Sequence, residues 1–197
     1  MTLTASQSVF LVIVVLMAVQ RILEVRHSKR NEARILAAGG YEASPGHFRL
    51  MQLLHTLWFP AMVAEVLLLE RVLHPALFAG CLVLLMAGQA LRYAAILGLG
   101  ERWTVRIMIQ PDAPVKQAGV YRFVRHPNYL GVVLEFIAVP LLHTAYLTAV
   151  VFSLLNAAVL WVRIRAEEKA LREANGSDYD AKFSRLGRFV PGAGSST

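Results

Sequence analysis

Five apolar runs limit what this 197-residue chain can fold into. They lie at about 3–23, 53–69, 75–97, 129–142 and 146–162, each bounded by charged or turn-forming residues. About 20 apolar residues in a helix cross the ~30 Å hydrocarbon core of a bilayer. The chain therefore reads as an all-α integral membrane protein with about five transmembrane helices. Its composition agrees: 56% of residues are hydrophobic, 17% are charged, and the mean hydropathy is +0.51. The fourth run is short. Fourteen residues rise only ~21 Å, so it must tilt little, start deep or thin the bilayer. Only His143-Thr144-Ala145 separates it from the fifth, so the two form a tight helical hairpin.

Charge sets the topology. Six basic residues fall between Arg21 and Gln52, six between Arg92 and Asn128, and seven from Arg163 onward, leaving Arg71 as the one of twenty elsewhere. Basic residues collect on the cytoplasmic side, so both long loops and the C-terminus are expected there, with the N-terminus outside. The net charge of +7 thus belongs beside lipid headgroups, and nucleic acid is not an expected partner. No basic region precedes the first run and no small-residue cleavage site follows it, so a signal peptide is not expected. An inner bacterial membrane is the expected location. Cys81 stands alone in an apolar run, which excludes an intrachain disulfide. His27 and His47 lack ligand spacing, and no metal is expected.

Between the runs, residues 31–46 begin as a helical continuation and break at Gly39-Gly40 and Ser44-Pro45-Gly46. Residues 103–110 read as a short extended segment. The fifth helix is expected to continue past the membrane to about Ala174, with a second short helix over 178–186 capped by Ser177 or Asp178. One domain covers 1–191, divided into N-terminal membrane helices (1–87) and a cofactor-binding catalytic half (88–191). Residues 192–197 read as a disordered tail.

Three groups could carry chemistry. Arg125-His126-Pro127 stands where the fourth run begins, and free N–H groups at a helix start can meet an anion. The same residues also suit a plain interfacial anchor. Arg163, Glu167 and Glu168 follow the fifth run, with Arg163 and Glu167 spaced to pair. Glu24, His55, Glu65 and Glu135 are ionisable groups at or near membrane depth, where such groups usually face a cavity or a partner.

The stretch Gly119-Val120-Tyr121-Arg122-Phe123-Val124-Arg125-His126-Pro127-Asn128-Tyr129-Leu130-Gly131, with Arg163, Glu167-Glu168, Leu171, Tyr179 and Phe189-Val190-Pro191 after it, resembles the paired signatures of the isoprenylcysteine carboxyl methyltransferase family. The likeness covers about residues 88–192. Ala174-Asn175-Gly176 departs from the Phe-Gly usual there. The resemblance implies an S-adenosylmethionine-dependent methyltransferase with a cytoplasmic cofactor pocket in its C-terminal half and a lipophilic acceptor entering from the bilayer. On that basis Tyr121, Arg125, His126, Tyr129, Leu130 and Gly131 border the cofactor. Arg163, Glu167 and Glu168 are the catalytic candidates, and Glu135, His55, Glu24 and Trp58 line the acceptor.

Glu24, Lys29-Arg30-Asn31-Glu32, His47, and His55 with Trp58-Phe59 look like a bacterial branch that O-methylates alkylpyrones or alkylresorcinols made by type III polyketide synthases. The expected acceptor is a carboxylate, enol or phenol on such a lipid or on a prenylcysteine. A phenol would need a base, for which His126, Glu135 and Glu168 are the candidates. Two rival readings are an NADPH-dependent reductase of the sterol type, which shares the Arg-His-Pro element, and a non-enzymatic lipid-binding module.

Overall fold

A computed structural model describes residues 3–111 and 113–192. Four helices are long and apolar enough to cross a membrane: α1 (Ala5–Ala37), α2 (Gly46–Leu68), α3 (Pro75–Leu99) and α5 (Tyr146–Asn175). Between α3 and α5 lies the shorter apolar helix α4 (Pro127–Leu141). α6 (Ser177–Phe183) is brief. Two-residue strands β1 (Tyr41–Glu42) and β2 (Met108–Ile109) pair antiparallel, with Tyr41 opposite Ile109. Gly187–Arg188 runs beside the entrance to α4, their carbonyls accepting from the amides of Arg125 and His126 at 3.0 Å each.

The fifth helix is one element, since α5 continues unbroken from the membrane run to Asn175. α6 begins on Gly176 (φ 48°) and has no side-chain cap, so the expected Ser177 or Asp178 cap is absent: glycine makes the sharp turn unaided. Of the tail 192–197, all but Gly192 lies outside the described residues.

α4 is short, yet it spans the bundle. Its 15 residues rise about 22 Å. At the α4–α5 turn, Thr144 donates to the Val72 carbonyl in the α2–α3 loop at 2.8 Å, and His143 meets Ser6 near the start of α1 at 3.2 Å. Glu65, at the same end of α2, accepts from the Leu147 and Thr148 amides and from Arg71, capping α5. That role accounts for Glu65 without any chemistry. The start of α1, the α2–α3 loop and the α4–α5 turn thus share one end, and the basic loops share the other. The start of α1 and the segment around Gly187–Arg188 therefore lie at opposite ends of the bundle.

The core between the helices holds Phe10, Val14, Met17, Leu54, Trp58, Met62, Val66, Leu85, Phe136 and Val139. Valines and leucines of α1 and α5 face outward, as a bilayer requires. α3 and α4 approach closely at Gly88 and Gly131. A Cβ on Gly131 would lie 2.7 Å from the Gly88 carbonyl and 2.5 Å from Arg92 Cγ. Gly131 therefore seats a neighbouring helix, as small residues do in membrane bundles.

Candidate active site

The basic end of the bundle encloses a cavity of about 710 Å³. Its size suits a cofactor with part of a second molecule. Its walls are the loop leading into α4, the extension of α5 beyond its membrane run with α6, an extended bridge over residues 103–109 and, toward the membrane, side chains of α1, α2 and α3.

The bridge is held from both sides. Asn31 on α1 donates to the Trp103 carbonyl at 2.8 Å, and Ser28 accepts from the Val105 amide at 2.8 Å. From α5, Arg163 Nη2 donates to the Val105 carbonyl at 2.5 Å. The same guanidinium donates through Nε to the Tyr129 hydroxyl at 2.8 Å, and that hydroxyl donates to Glu167 at 2.5 Å. Arg163 and Glu167 were expected to pair directly. Instead Tyr129, from another helix, stands between them and links α4 to both. Arg163 is 3% exposed, and its charge is met by oxygens alone.

A second cluster lies beside the first. His126, the N-cap of α4, stacks on Tyr129 with ring centroids 5.4 Å apart. Its Nε2 meets Glu168 at 3.1 Å; a carboxylate can only accept, so Nε2 carries the proton. Arg188 grips both oxygens of Glu168 at 2.9 and 2.7 Å, and Arg125 lies 3.3 Å away. Glu168 sits beyond the membrane run of α5. Burial raises its carboxyl, but the bonds from His126 and Arg188 and the charge of Arg125 outweigh burial and hold it well below the usual carboxylate range. Nearby, burial and the charge of Glu167 push the Tyr121 phenol up, and burial with the charge of Glu168 pushes Tyr179 up to about 12. Both remain neutral hydroxyls.

A third cluster closes the membrane side. Glu24 accepts from Arg21 at 2.5 Å and from Arg92, while Glu135 accepts from Arg21 and lies 3.3 Å from Arg92 Nε. Two cations and two anions from α1, α3 and α4 cancel in a buried knot. His55, half-buried on α2, meets the edge of Phe136 at 4.9 Å and bonds the Met51 carbonyl through Nδ1 at 2.9 Å.

The expected site residues divide accordingly. Tyr121, Arg125, His126, Tyr129, Arg163, Glu167, Glu24 and His55 line the cavity. Glu168 lies behind it and orients His126. Glu135 is consumed by the arginine knot, Trp58 is stacked on Phe136 in the core, and Gly131 faces α3; none of these, nor Leu130, is on the wall. Glu135 and Glu168 are each engaged by two or more cations, so neither suits the role of base. Residues not named as site candidates also contribute: Ser28, Val105, Arg92 and Arg188, with Asn31, which the sequence marked only within Lys29-Arg30-Asn31-Glu32. Of the first four, only Arg188 had a local signal, standing directly before Phe189-Val190-Pro191.

The lining suits S-adenosylmethionine, the cofactor that the resemblance implies. Asn128 lines it with a buried Oδ1 that has no partner among the described residues, beside the free N–H groups at the start of α4. These suit an amino-acid head. Trp103, Tyr121, Tyr179 and Phe183 offer aromatic wall for a base. Of its nine cations, Arg21, Arg92, Arg106 and Arg125 are paired with carboxylates, while Arg26, Lys29, Arg102 and Lys116 make the lining receptive to carboxylate or oxyanion groups. The residues fit.

Comparison with known proteins points the same way. The profile of the isoprenylcysteine carboxyl methyltransferase family matches residues 81–173. The uncharacterized protein YpbQ of Bacillus subtilis is 36% identical over 83% of this chain and 97% of its own length. The protein-S-isoprenylcysteine O-methyltransferase of Saccharomyces cerevisiae is 33% identical over 57% of this chain and 47% of its own. A methanethiol S-methyltransferase of a Pseudomonas strain is 30% identical over 46% of this chain and 33% of its own.

Proposed function

The chain belongs to the isoprenylcysteine carboxyl methyltransferase family, and from that premise we propose that it is a membrane methyltransferase acting on an acidic oxygen of a lipophilic acceptor with S-adenosylmethionine as donor. The observation that carries this reading is one cavity with two characters. Its cytoplasmic part is polar and aromatic. Its membrane part is lined by Ala18, Ile22 and Val25 of α1 and Phe59 of α2, and Ile22 and Val25 are also exposed on the outer surface. A lipid can therefore reach the cavity from beside α1.

The geometry supports a division of labour. Arg125, His126, Asn128 and Tyr121 hold the cofactor, which supplies an electrophilic methyl group on sulfur. Glu168 and Arg188 fix the His126 ring. Arg163 and Tyr129, locked to Val105 and Glu167, present donors to the acceptor's head group. Such fixed donors act by orientation, since misplacing a nucleophile by an ångström is costly. The bridge over 103–109 excludes water. The acceptor's tail contributes little affinity against lipid, which is as apolar as the wall, so it serves to concentrate and orient the molecule. Alkylpyrones, alkylresorcinols and prenylcysteines share this form. A type III polyketide synthase is the natural supplier of the first two.

Methyl transfer decides the reading. Detergent-solubilised protein with labelled S-adenosylmethionine should label an alkylpyrone, an alkylresorcinol or a prenylcysteine. Label passing to none of them, with efficient methylation of a water-soluble acceptor, would refute it.

A further inference from the structure

His55 has a nitrogen that the rest of the site leaves unused. Its Nδ1 meets the Met51 carbonyl, and a carbonyl can only accept, so the proton is on Nδ1 and Nε2 is a lone-pair acceptor. That Nε2 has no partner among the described residues, and the half-buried ring lines the cavity. Its depth is fixed by two contacts. Met51, one helical turn earlier, packs into the cluster of Tyr129, Leu160 and Ile164. The ring edge meets Phe136, two turns along α4 from Tyr129. His55 thus sits just membrane-ward of the Tyr129–Arg163 relay, where the acceptor's head would stand.

The other basic groups are occupied or misplaced. Glu135 and Glu24 are bound by Arg21 and Arg92, and Glu168 by Arg188, Arg125 and His126. His126 lies at the cytoplasmic head of α4. Glu167 is already engaged, accepting from the Tyr129 hydroxyl. The charged groups facing His55 are Arg21 and Glu24 from α1 and Arg92 from α3, with Glu135 of α4 paired to the same arginines.

Resting on the methyltransferase reading, we propose that His55 is the general base, its Nε2 taking the proton of a neutral acceptor hydroxyl as that oxygen takes the methyl group. The O–H bond breaks toward nitrogen, the oxygen's electron pair forms the new O–C bond, and the donor's sulfur keeps the pair of the broken C–S bond. The imidazolium then releases its proton to solvent. The favoured acceptor is accordingly a phenol or enol. A carboxylate, already ionised, needs no such group.

The test compares wild type with His55→Gln, which keeps a polar side chain but cannot take a proton. S-adenosylhomocysteine affinity should be unchanged. Methylation of an alkylresorcinol should fall about 10²–10⁴-fold, and that of a prenylcysteine carboxylate by less than threefold. A readout without turnover uses a long-chain alkyl nitrophenol, whose anion is coloured: with S-adenosylhomocysteine present, wild type should ionise it on binding and His55→Gln should not. Should His55→Gln fold poorly, His55→Ala with added imidazole replaces it, and recovered phenol methylation is the expected result. Equal ionisation in wild type and variant, undiminished resorcinol methylation, or no rescue by imidazole overturns the assignment. The nitrophenol result stands even if no acceptor is methylated, so failure of His55 and failure of the methyltransferase reading are separable.

Discussion

Tyr129 and Glu168 show how single side chains carry this site. Glu168 receives groups from two distant segments, Arg125-His126 and Arg188, and Tyr129 ties α4 to Arg163 and Glu167 of α5, so removing either releases several others. Glu168→Gln should leave His126, Arg188 and Arg125 short of their shared anion, and S-adenosylhomocysteine affinity should drop by roughly 1–3 kcal/mol, read by calorimetry. The pH sign follows from its depressed carboxyl. A group ionised more readily when folded adds stability above its ordinary value of 4.5, and that stability is lost as pH falls below it toward the folded value. Thermal unfolding midpoints should therefore fall steeply below about pH 4.5, and the fall should be shallower in Glu168→Gln. Arg163→Ala should lower turnover about 10²-fold or more while leaving the fold intact, because it loosens Tyr129 and the 103–109 bridge together. Sequence brought Arg163 and Glu167 to notice as an i,i+4 pair. It could not show that a tyrosine 34 positions from Arg163 would take the place between them.

Among the elements, the helices were legible and their junctions less so. Apolar runs ending at charges located α3, α4 and α5 closely, because bilayer thickness dictates helix length, whereas α1 continues to Ala37 past its run's end near Leu23 and α2 begins at Gly46, ahead of its run's start near Leu53. The extended segment at 103–110 was visible from β-branched residues, but its partner at Tyr41–Glu42 was not, since pairing over such separation leaves no local pattern. The knot of Arg21, Glu24, Arg92 and Glu135 was hidden for the same reason, with Arg21 and Glu135 114 positions apart. Gly131 carried a misleading signal. It lies within the motif that resembles a cofactor signature, yet its missing Cβ serves the α3–α4 crossing. Gly131→Ala should push α4 off the Gly88 carbonyl and destabilise the protein by about 1–3 kcal/mol, seen as a lower unfolding temperature in detergent. Leu130→Ala, on a residue that does not line the cavity, should leave S-adenosylhomocysteine affinity within about twofold of wild type.

For the whole molecule, the proposed function has the arrangement join a water-facing cofactor chamber to a bilayer-facing groove through the fixed donors Arg163 and Tyr129. α4 makes this possible by being short: it reaches the opposite end of the bundle from a start set deep, leaving room at its head for the chamber. Opposite placement of the start of α1 and the segment around Gly187–Arg188 is open to direct measurement. With the N-terminus outside, as the basic loops propose, a cysteine placed near position 3 should react with an impermeant reagent in intact cells. One placed near 190 should not. The central claim, that this is a chamber for S-adenosylmethionine, is tested most directly by calorimetric titration of the solubilised protein with S-adenosylhomocysteine, S-adenosylmethionine and NADPH. One-to-one binding of both sulfur ligands, lost or strongly weakened in His126→Ala, with no heat from NADPH, is the expected result. Saturable binding of NADPH with none of either sulfur ligand would contradict the account.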